Sequence, residues 1–469
     1  MTLYTHATAP TLTFYGAAGT VTGSKHLLAT PRSRVLLDCG MFMGLKALRL
    51  RNWAPSPFDP KGVDAVVLSH AHLDHSGALP RLVRAGFRGP IHCTAGTRDL
   101  LRILLEDAAR LQEEEAAYAN RKGYSKHHPA EPLFTADDIP PVLAAVRAHG
   151  YGQHFDVARD VRAVFSRAGH ILGSAVSTLE IDGPTPLRLV YTGDLGRWDQ
   201  PILCDPDPVT MADVLVAEST YGDRDHALDP VEALAAVVRE TAEEQRVLLV
   251  PSFAVGRTQT LIWLLRELED AGRIPRVPVA IDSPMANRVS EVYCRHLEDL
   301  DHEMREAMDY GRCPICNREY ELCTTRDESI ALNDRRGPLI IIAGSGMATG
   351  GRILHHFARR LSEATTSVLL VGFQAEGTRG RSLADGATQL RMHGRWIPVA
   401  ARVRTIHGLS AHADRAEMLR WLSTITRPPS ATHFVHGEAR PAEAMASLVA
   451  DRLGWSTHVA RDGATVSLP

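Results

Sequence analysis

The stretch His70-Ala71-His72-Leu73-Asp74-His75 constrains the chain more than any other. It packs three imidazoles and a carboxylate behind an apolar run, Val63-Asp64-Ala65-Val66-Val67-Leu68, that reads as a buried strand. After it, Ser76-Gly77-Ala78-Leu79-Pro80-Arg81-Leu82 shifts toward helical spacing. The cluster therefore belongs on a strand-to-helix turn, where open α/β folds build their sites. In extended backbone, alternate side chains point the same way, so His70 and His72 can grip one metal. Asp74 and His75 lie past the turn and can reach a second. Imidazole and carboxylate are ligands that zinc accepts without any thiolate.

Two more candidates sit at strand ends beside glycines. One is His170, in Ala168-Gly169-His170-Ile171-Leu172-Gly173, and the other is Asp194, in Thr192-Gly193-Asp194. Glycine lets the backbone turn sharply and present them. A carboxylate such as Asp194 can bridge two metals. Asp38 ends the apolar run Val35-Leu36-Leu37 and could support metal-bound histidines.

A chain of 469 residues holds two or three domains. From about residue 230 to 385, helical and strand patterns alternate, as in a parallel α/β domain with its own sheet. Residues 94–147 read mainly as helix. Within the α/β part, Ala343-Gly344-Ser345-Gly346-Met347-Ala348-Thr349-Gly350-Gly351 lies between a strand and a helix. Free N–H groups there could cradle a phosphate, or the segment is a plain βα turn. Arg379 and Arg381 lie on another such loop. The glycine-punctuated stretch Gly16–Ser24 reads as a tight turn between strands.

Net charge is −3, so nucleic-acid binding would need a local groove rather than a basic tail. Of 52 basic residues only five are lysine; arginine suits bidentate phosphate contacts, though genomic composition bias explains the excess equally well. The loop Asn120–Pro129, with Arg121, Lys122, Tyr124 and Lys126, is a surface loop or a nucleic-acid contact. Met1–His6 lacks the features of a signal peptide, and no run of about 18 apolar residues would span a membrane. Seven scattered cysteines fit a reducing cytoplasm rather than a disulfide framework. Cys313-Pro314-Ile315-Cys316, Cys323 and Cys294 could form a zinc knuckle, but isolated thiols are the default expectation.

The order of these pieces resembles a known family. Asp38, His70-x-His72-x-Asp74-His75, His170 and Asp194 look like motifs one to four of the metallo-β-lactamase fold. Glu218, His412 and His436 look like the three extra motifs of its β-CASP branch of nucleases. Ser410-Ala411-His412-Ala413-Asp414 is most similar to relatives of the endonuclease subunit of the cleavage and polyadenylation specificity factor.

The resemblance implies an α/β fold: an αββα sandwich from residues 1–209 and 400–469, with a β-CASP domain, 210–399, inserted as a cap. It implies two Zn²⁺ per chain. His70, His72 and His170 would bind one; Asp74, His75 and His436 the other; Asp194 both. Asp74, Glu218 and His412 are the catalytic candidates, with His412 as the acid for the leaving oxygen and Glu218 orienting it. Ser345, Gly346, Arg379 and Arg381 would hold flanking phosphates. The expected activity is metal-dependent hydrolysis of single-stranded RNA, with DNA disfavoured by a histidine at position 436. The expected location is the cytoplasm, with no membrane partner, and a homodimer is one expected assembly. Two other readings remain: a hydrolase of another substrate on the same fold, and a non-catalytic RNA-binding scaffold.

Overall fold

A computed structural model describes residues 9–469 except 124, 126, 227–228, 310–312 and 317–319. Met1–His6, Tyr124 and Lys126, which carried sequence expectations, lie outside the described residues.

Two seven-stranded sheets face each other. The first runs Thr465–Ser467, Thr11–Phe14, His26–Ala29, Arg34–Leu37, Ala65–Val67, Ile91–Thr94, Val146–His149. The second runs Thr457–Val459, Ala431–Val435, Val214–Glu218, Leu187–Tyr191, Ala175–Ile181, Val161–Arg167, His154–Ala158. Strand alternation sorts the side chains. Leu12, Phe14, Val35, Leu37 and Val67 meet Phe165, Leu179, Leu189 and Val216 between the sheets. Leu36, Val66 and Ile91 turn to the opposite face, under Leu100, Leu101 and Leu104 of the helix Ala95–Lys122. Behind the second sheet, Val190, Leu215 and Phe434 pack on Met418, Trp421 and Met445 from the helices Arg415–Leu422 and Ala439–Leu453. The result is the four-layer αββα sandwich. Each fully buried Leu, Val or Phe in these layers contributes about 1.5–3 kcal/mol of transfer free energy.

A third sheet is inserted in the sandwich. Its six strands are all parallel: Glu321–Leu322, Val279–Asp282, Leu339–Ala343, Val247–Pro251, Thr366–Val371, Arg402–Ile406. Both faces are covered, which explains its unbroken apolar strands. Ile340 and Ile342 face Leu261, Ile262 and Leu265, whereas Leu339 and Ile341 face Ile353 and Phe357. One apolar cluster continues from Leu100, Leu101 and Leu105 into Ala286, Val289 and Val292, so the insertion is packed onto the sandwich.

The insertion leaves from the strand Val214–Glu218 and returns to Ala431–Val435, and these strands are parallel neighbours with Glu218 paired to Val435. The joins expected at residues 209 and 400 fall a few residues before these sheet crossings, since Val214–Glu218 belongs to the second sheet and Arg402–Ile406 to the third. The helical expectation for 94–147 holds for Ala95–Lys122, but Val146–His149 is an edge strand paired with Ile91–Thr94. Scattered thiols were expected; instead Cys294 and Cys313 are joined by a disulfide, with Cys316 Sγ 3.2 Å from Cys294 Sγ. Cys294 caps the helix Pro284–Tyr293, and the Cys313–Cys316 turn folds back onto it. Cys323 is a separate buried thiol. Among the described residues, no helix is long and apolar enough to cross a membrane.

Candidate metal centre

The strand Ala65–Val67 ends under the helix layer, and the chain then turns through Ser69 to His72 into the short helix Leu73–Ser76. That turn delivers two imidazoles to one point. His70 Nε2 and His72 Nδ1 are 3.1 Å apart, and His170 Nε2 is 3.3 Å from the same His72 nitrogen. Asp194 Oδ2 completes the group, 3.5 Å from His70 and 3.6 Å from His170. A second group lies alongside. His75 Nε2 is 3.1 Å from His436 Nε2, and Asp74 Oδ2 is 3.6 Å from that His436 nitrogen. Asp194 Oδ1 lies 3.2 Å from His75 and 3.3 Å from His436. Asp194 thus turns one oxygen to each group.

The donor set fits two cations. A neutral imidazole carries one N–H, yet here buried ring nitrogens face one another. Asp194 Oδ1, which faces His75 and His436, is buried without a hydrogen-bond partner. Zinc bonds of about 2.0–2.1 Å in a tetrahedron give ligand edges of roughly 3.4 Å, close to the separations seen. Burial lowers the pKa of His70 and His170 well below the usual value and that of His72 to about 4, so these rings are neutral, the form that a metal ion binds. Burial raises the pKa of Asp194, but the surrounding histidines outweigh it and keep the carboxylate ionised. For His75 burial works the other way, and the Asp194 and Asp38 charges overcome it, lifting the imidazole well above its ordinary value.

Asp38 sits beneath the second group. Its Oδ2 accepts hydrogen bonds from His75 Nδ1 at 2.6 Å, Tyr191 at 2.6 Å and Ser69 Oγ at 2.8 Å; its Oδ1 accepts from Ser69 N at 2.7 Å. Asp38 itself has φ +59°, in the left-handed region that Asp and Asn tolerate better than most. Tyr191 and Ser69 were missed in the sequence. The one available signal was a tyrosine inside a buried strand, whose hydroxyl needs a partner. Close backbone approach also shapes the site: a Cβ on Gly40 would lie 1.5 Å from the Asp74 carbonyl oxygen.

The sequence candidates Glu218 and His412 meet. His412 Nδ1 is 3.1 and 3.2 Å from the two Glu218 oxygens and 4.0 Å from Asp194 Oδ2. Glu218 is fully buried; it accepts from Leu195 N at 2.6 Å and Thr220 Oγ1 at 2.5 Å. Burial disfavours the His412 imidazolium, but the Glu218 and Asp194 charges prevail and raise its pKa to about 9. A third residue missed in the sequence, His226, lies 2.8 Å from the His407 carbonyl and 3.0 Å from the His412 carbonyl, pinning the turn that carries His412.

The four expected phosphate contacts divide. Ser345 and Arg379 line the cleft above the metal ligands. The Ser345 hydroxyl, however, accepts from Thr349 N and Gly350 N of its own loop. Arg379 also braces the cap, donating from Nε to the Arg391 carbonyl at 2.9 Å. Gly346 serves close packing, since a Cβ there would lie 2.5 Å from the Phe253 ring. Arg381 forms an ion pair with Asp385 at 2.9 Å and does not line the cleft.

Comparison with known proteins finds matches along the length of the chain. The chain matches the models of a beta-lactamase superfamily domain over residues 33–250, a Beta-Casp domain over 258–383 and a Zn-dependent metallo-hydrolase RNA specificity domain over 396–460. It is 38% identical to Ribonuclease TTHA0252 of Thermus thermophilus, covering 96% of this chain and 98% of that one. It is 30% identical to the transcription termination factor FttA of Methanosarcina mazei, covering 97% of this chain and 71% of that one. A solved structure from Enterococcus faecalis, described as a protein of unknown function, shares the fold at TM-score 0.54 and 15% identity, covering 98% of this chain and 100% of that one.

Proposed function

Because the chain belongs to the β-CASP family of metallo-β-lactamase-fold proteins, we propose that it is a zinc-dependent ribonuclease that hydrolyses phosphodiester bonds of single-stranded RNA. His70, His72 and His170 would hold one zinc, Asp74, His75 and His436 would hold the other, and Asp194 would serve both. When bound, the two ions polarise the phosphoryl group and lower the pKa of the attacking water. His412, protonated at neutral pH, keeps its Nδ1 proton on Glu218 and turns Nε2 to the substrate. From there it gives a proton to the 3′ oxygen as the P–O3′ bond breaks, leaving a 5′ phosphate. Glu218 fixes the ring and sustains its charge. Asp38 orients His75, and the insertion forms the roof of the cleft.

One observation carries this reading: a shared carboxylate with ligand groups on both oxygens, and a carboxylate-paired histidine 4.0 Å away. A hydrolase of activated esters has no need of an acid placed for an alkoxide leaving group. RNA as substrate draws support from the RNA specificity domain over 396–460 and from the ribonuclease relative.

The test uses end-labelled single-stranded RNA and DNA of matched sequence, with zinc content measured on the same protein. RNA cleavage by the wild type, and loss of zinc and cleavage together in His72→Ala, are expected. Wild-type rates in His72→Ala would overturn the site. Two zincs without cleavage of either strand would favour the hydrolase of another substrate.

A further inference from the structure

Among the described residues three arginines are buried: Arg246, Arg257 and Arg360. Two of them have several acceptors each. Arg246 donates to Ser367 Oγ and to the Ala364 and Thr366 carbonyls. Arg360 donates to the carbonyls of Leu332, Asn333 and Arg335. Arg257 is 7% exposed, and its guanidinium makes no hydrogen bond or ion pair with any described residue.

Its place is specific. Arg257 opens the helix Arg257–Asp270 and lines the cleft shared by His72, His170, Asp194 and His412. The loop leading to it lies on the metal ligands. The Phe253 ring is 6.3 Å from the His72 ring, and a Cβ on Gly256 would lie 3.0 Å from Cγ2 of Ile171, the residue after His170. The electrostatic neighbours of the guanidinium are Tyr221, Arg197 and Tyr293, with no carboxylate among them. Both phenols are committed, Tyr221 to Ser410 and Tyr293 to the Leu172 amide. Arg197 is occupied by Glu417 and the Gly408 carbonyl, and it supplies no counter-charge to Arg257. Burial pushes the Arg257 guanidinium down to about 10. A largely buried guanidinium that lines a cleft and has no carboxylate partner is placed to receive an anion.

Building on the ribonuclease reading, we propose that Arg257 grips the non-bridging oxygens of the phosphate next to the scissile one in the bound strand. Its electrostatic neighbours include none of the candidate metal ligands, which favours a flanking phosphate over the one that is cut. The guanidinium fork matches two phosphate oxygens, as an ammonium would not. The anion supplies the missing counter-charge, and the arginine sets which bond of the strand lies over Asp194.

The experiment compares wild type, Arg257→Lys and Arg257→Gln on one short single-stranded RNA, with single phosphates replaced by methylphosphonate on either side of the cut. Arg257→Gln should raise KM about 10- to 100-fold with a smaller change in kcat, and Arg257→Lys should recover part of it. The slope of log affinity against log salt should fall by about one. One methylphosphonate position should weaken the wild type by the same factor and leave Arg257→Gln unchanged; other positions should weaken both alike. Bis(p-nitrophenyl) phosphate, which has no flanking phosphate, should be hydrolysed equally by both, with unchanged zinc. The melting temperature of Arg257→Gln should hold or rise, since a purely structural arginine would lower it on removal. A wild-type KM in Arg257→Gln, or methylphosphonates that weaken both proteins alike at every position, would overturn the proposal. Binding on ice, read by fluorescence anisotropy, separates the two readings. If the wild type bound RNA but cut nothing, the ribonuclease reading would fall, and the difference between wild type and Arg257→Gln in binding would still decide the subsite.

Discussion

The Oδ2 oxygen of Asp38 lies 2.6 Å from Nδ1 of His75. That bond fixes the ring so that Nε2 faces His436 and Asp194, the orientation a metal ligand needs. Asp38→Asn removes the charge and keeps a residue that tolerates the left-handed backbone. It should leave the far-UV circular dichroism unchanged while zinc affinity falls about 10- to 100-fold, read by competition with a chromogenic chelator. Wild-type affinity would show that Asp38 only holds the strand end.

His412 and Glu218 should separate chemistry from metal binding. His412→Ala is expected to keep its zinc and lose about 100- to 10,000-fold in kcat on RNA. The loss should be far smaller on bis(p-nitrophenyl) phosphate, whose leaving group needs no acid. Full activity of His412→Ala on RNA would remove the acid role.

The pH profile follows from the same pair. The acid form of His412 is present below about 9 and lost above it. Glu218→Gln removes a charge that raises this pKa, so the alkaline limb of kcat should move to lower pH, by about one unit or more. An unmoved limb would assign it to another group.

Metal removal should be visible in stability as well as in rate. His75, its pKa held well above the ordinary value between Asp194 and Asp38, keeps a proton that zinc must displace. Zinc affinity should therefore rise with pH, and calorimetry in buffers of different ionisation enthalpy should show proton release. Free zinc at a hundred times its dissociation constant should add about 2.7 kcal/mol per site to stability. A melting temperature indifferent to chelator would contradict a structural stake of the metal in the fold.

Gly40 tests the backbone under the cluster. An added Cβ would collide with the Asp74 carbonyl, 1.5 Å away, and the neighbouring Cys39 amide is bonded to the His75 carbonyl. Gly40→Ala should cost about 1–3 kcal/mol in urea unfolding. It should also lower zinc content first at the group formed by Asp74, His75 and His436. Unchanged zinc and stability would mean that the loop moves freely.

The metal centre was legible where its information is local. Within six residues the strand-to-helix turn announces His70, His72, Asp74 and His75, and glycines flag His170 and Asp194. His436 and Glu218 come from far along the chain and were identified through family resemblance. The structure supplies the reason they meet: their strands are hydrogen-bonded neighbours on either side of the insertion. Tyr191, Ser69, His226 and Arg257 were not legible, because each acts through a partner brought by the tertiary fold. The arginine pair divides for a simple reason. Residues two apart on a helix point nearly opposite ways, and Asp385, four residues on, captures Arg381. The cysteines converge because a helix end and a distant turn are packed together, which no spacing rule encodes.

The pairing of Glu218 with Val435 places His436 at the end of one of the last strands in the chain. Proteins are made from the N-terminus, so the loop bearing His70 to His75 leaves the ribosome long before its final ligand exists. A growing chain can fold much of the first sheet and still have no closed centre. For the proposed ribonuclease, the second group of ligands would close only once the strand before His436 has joined the sheet.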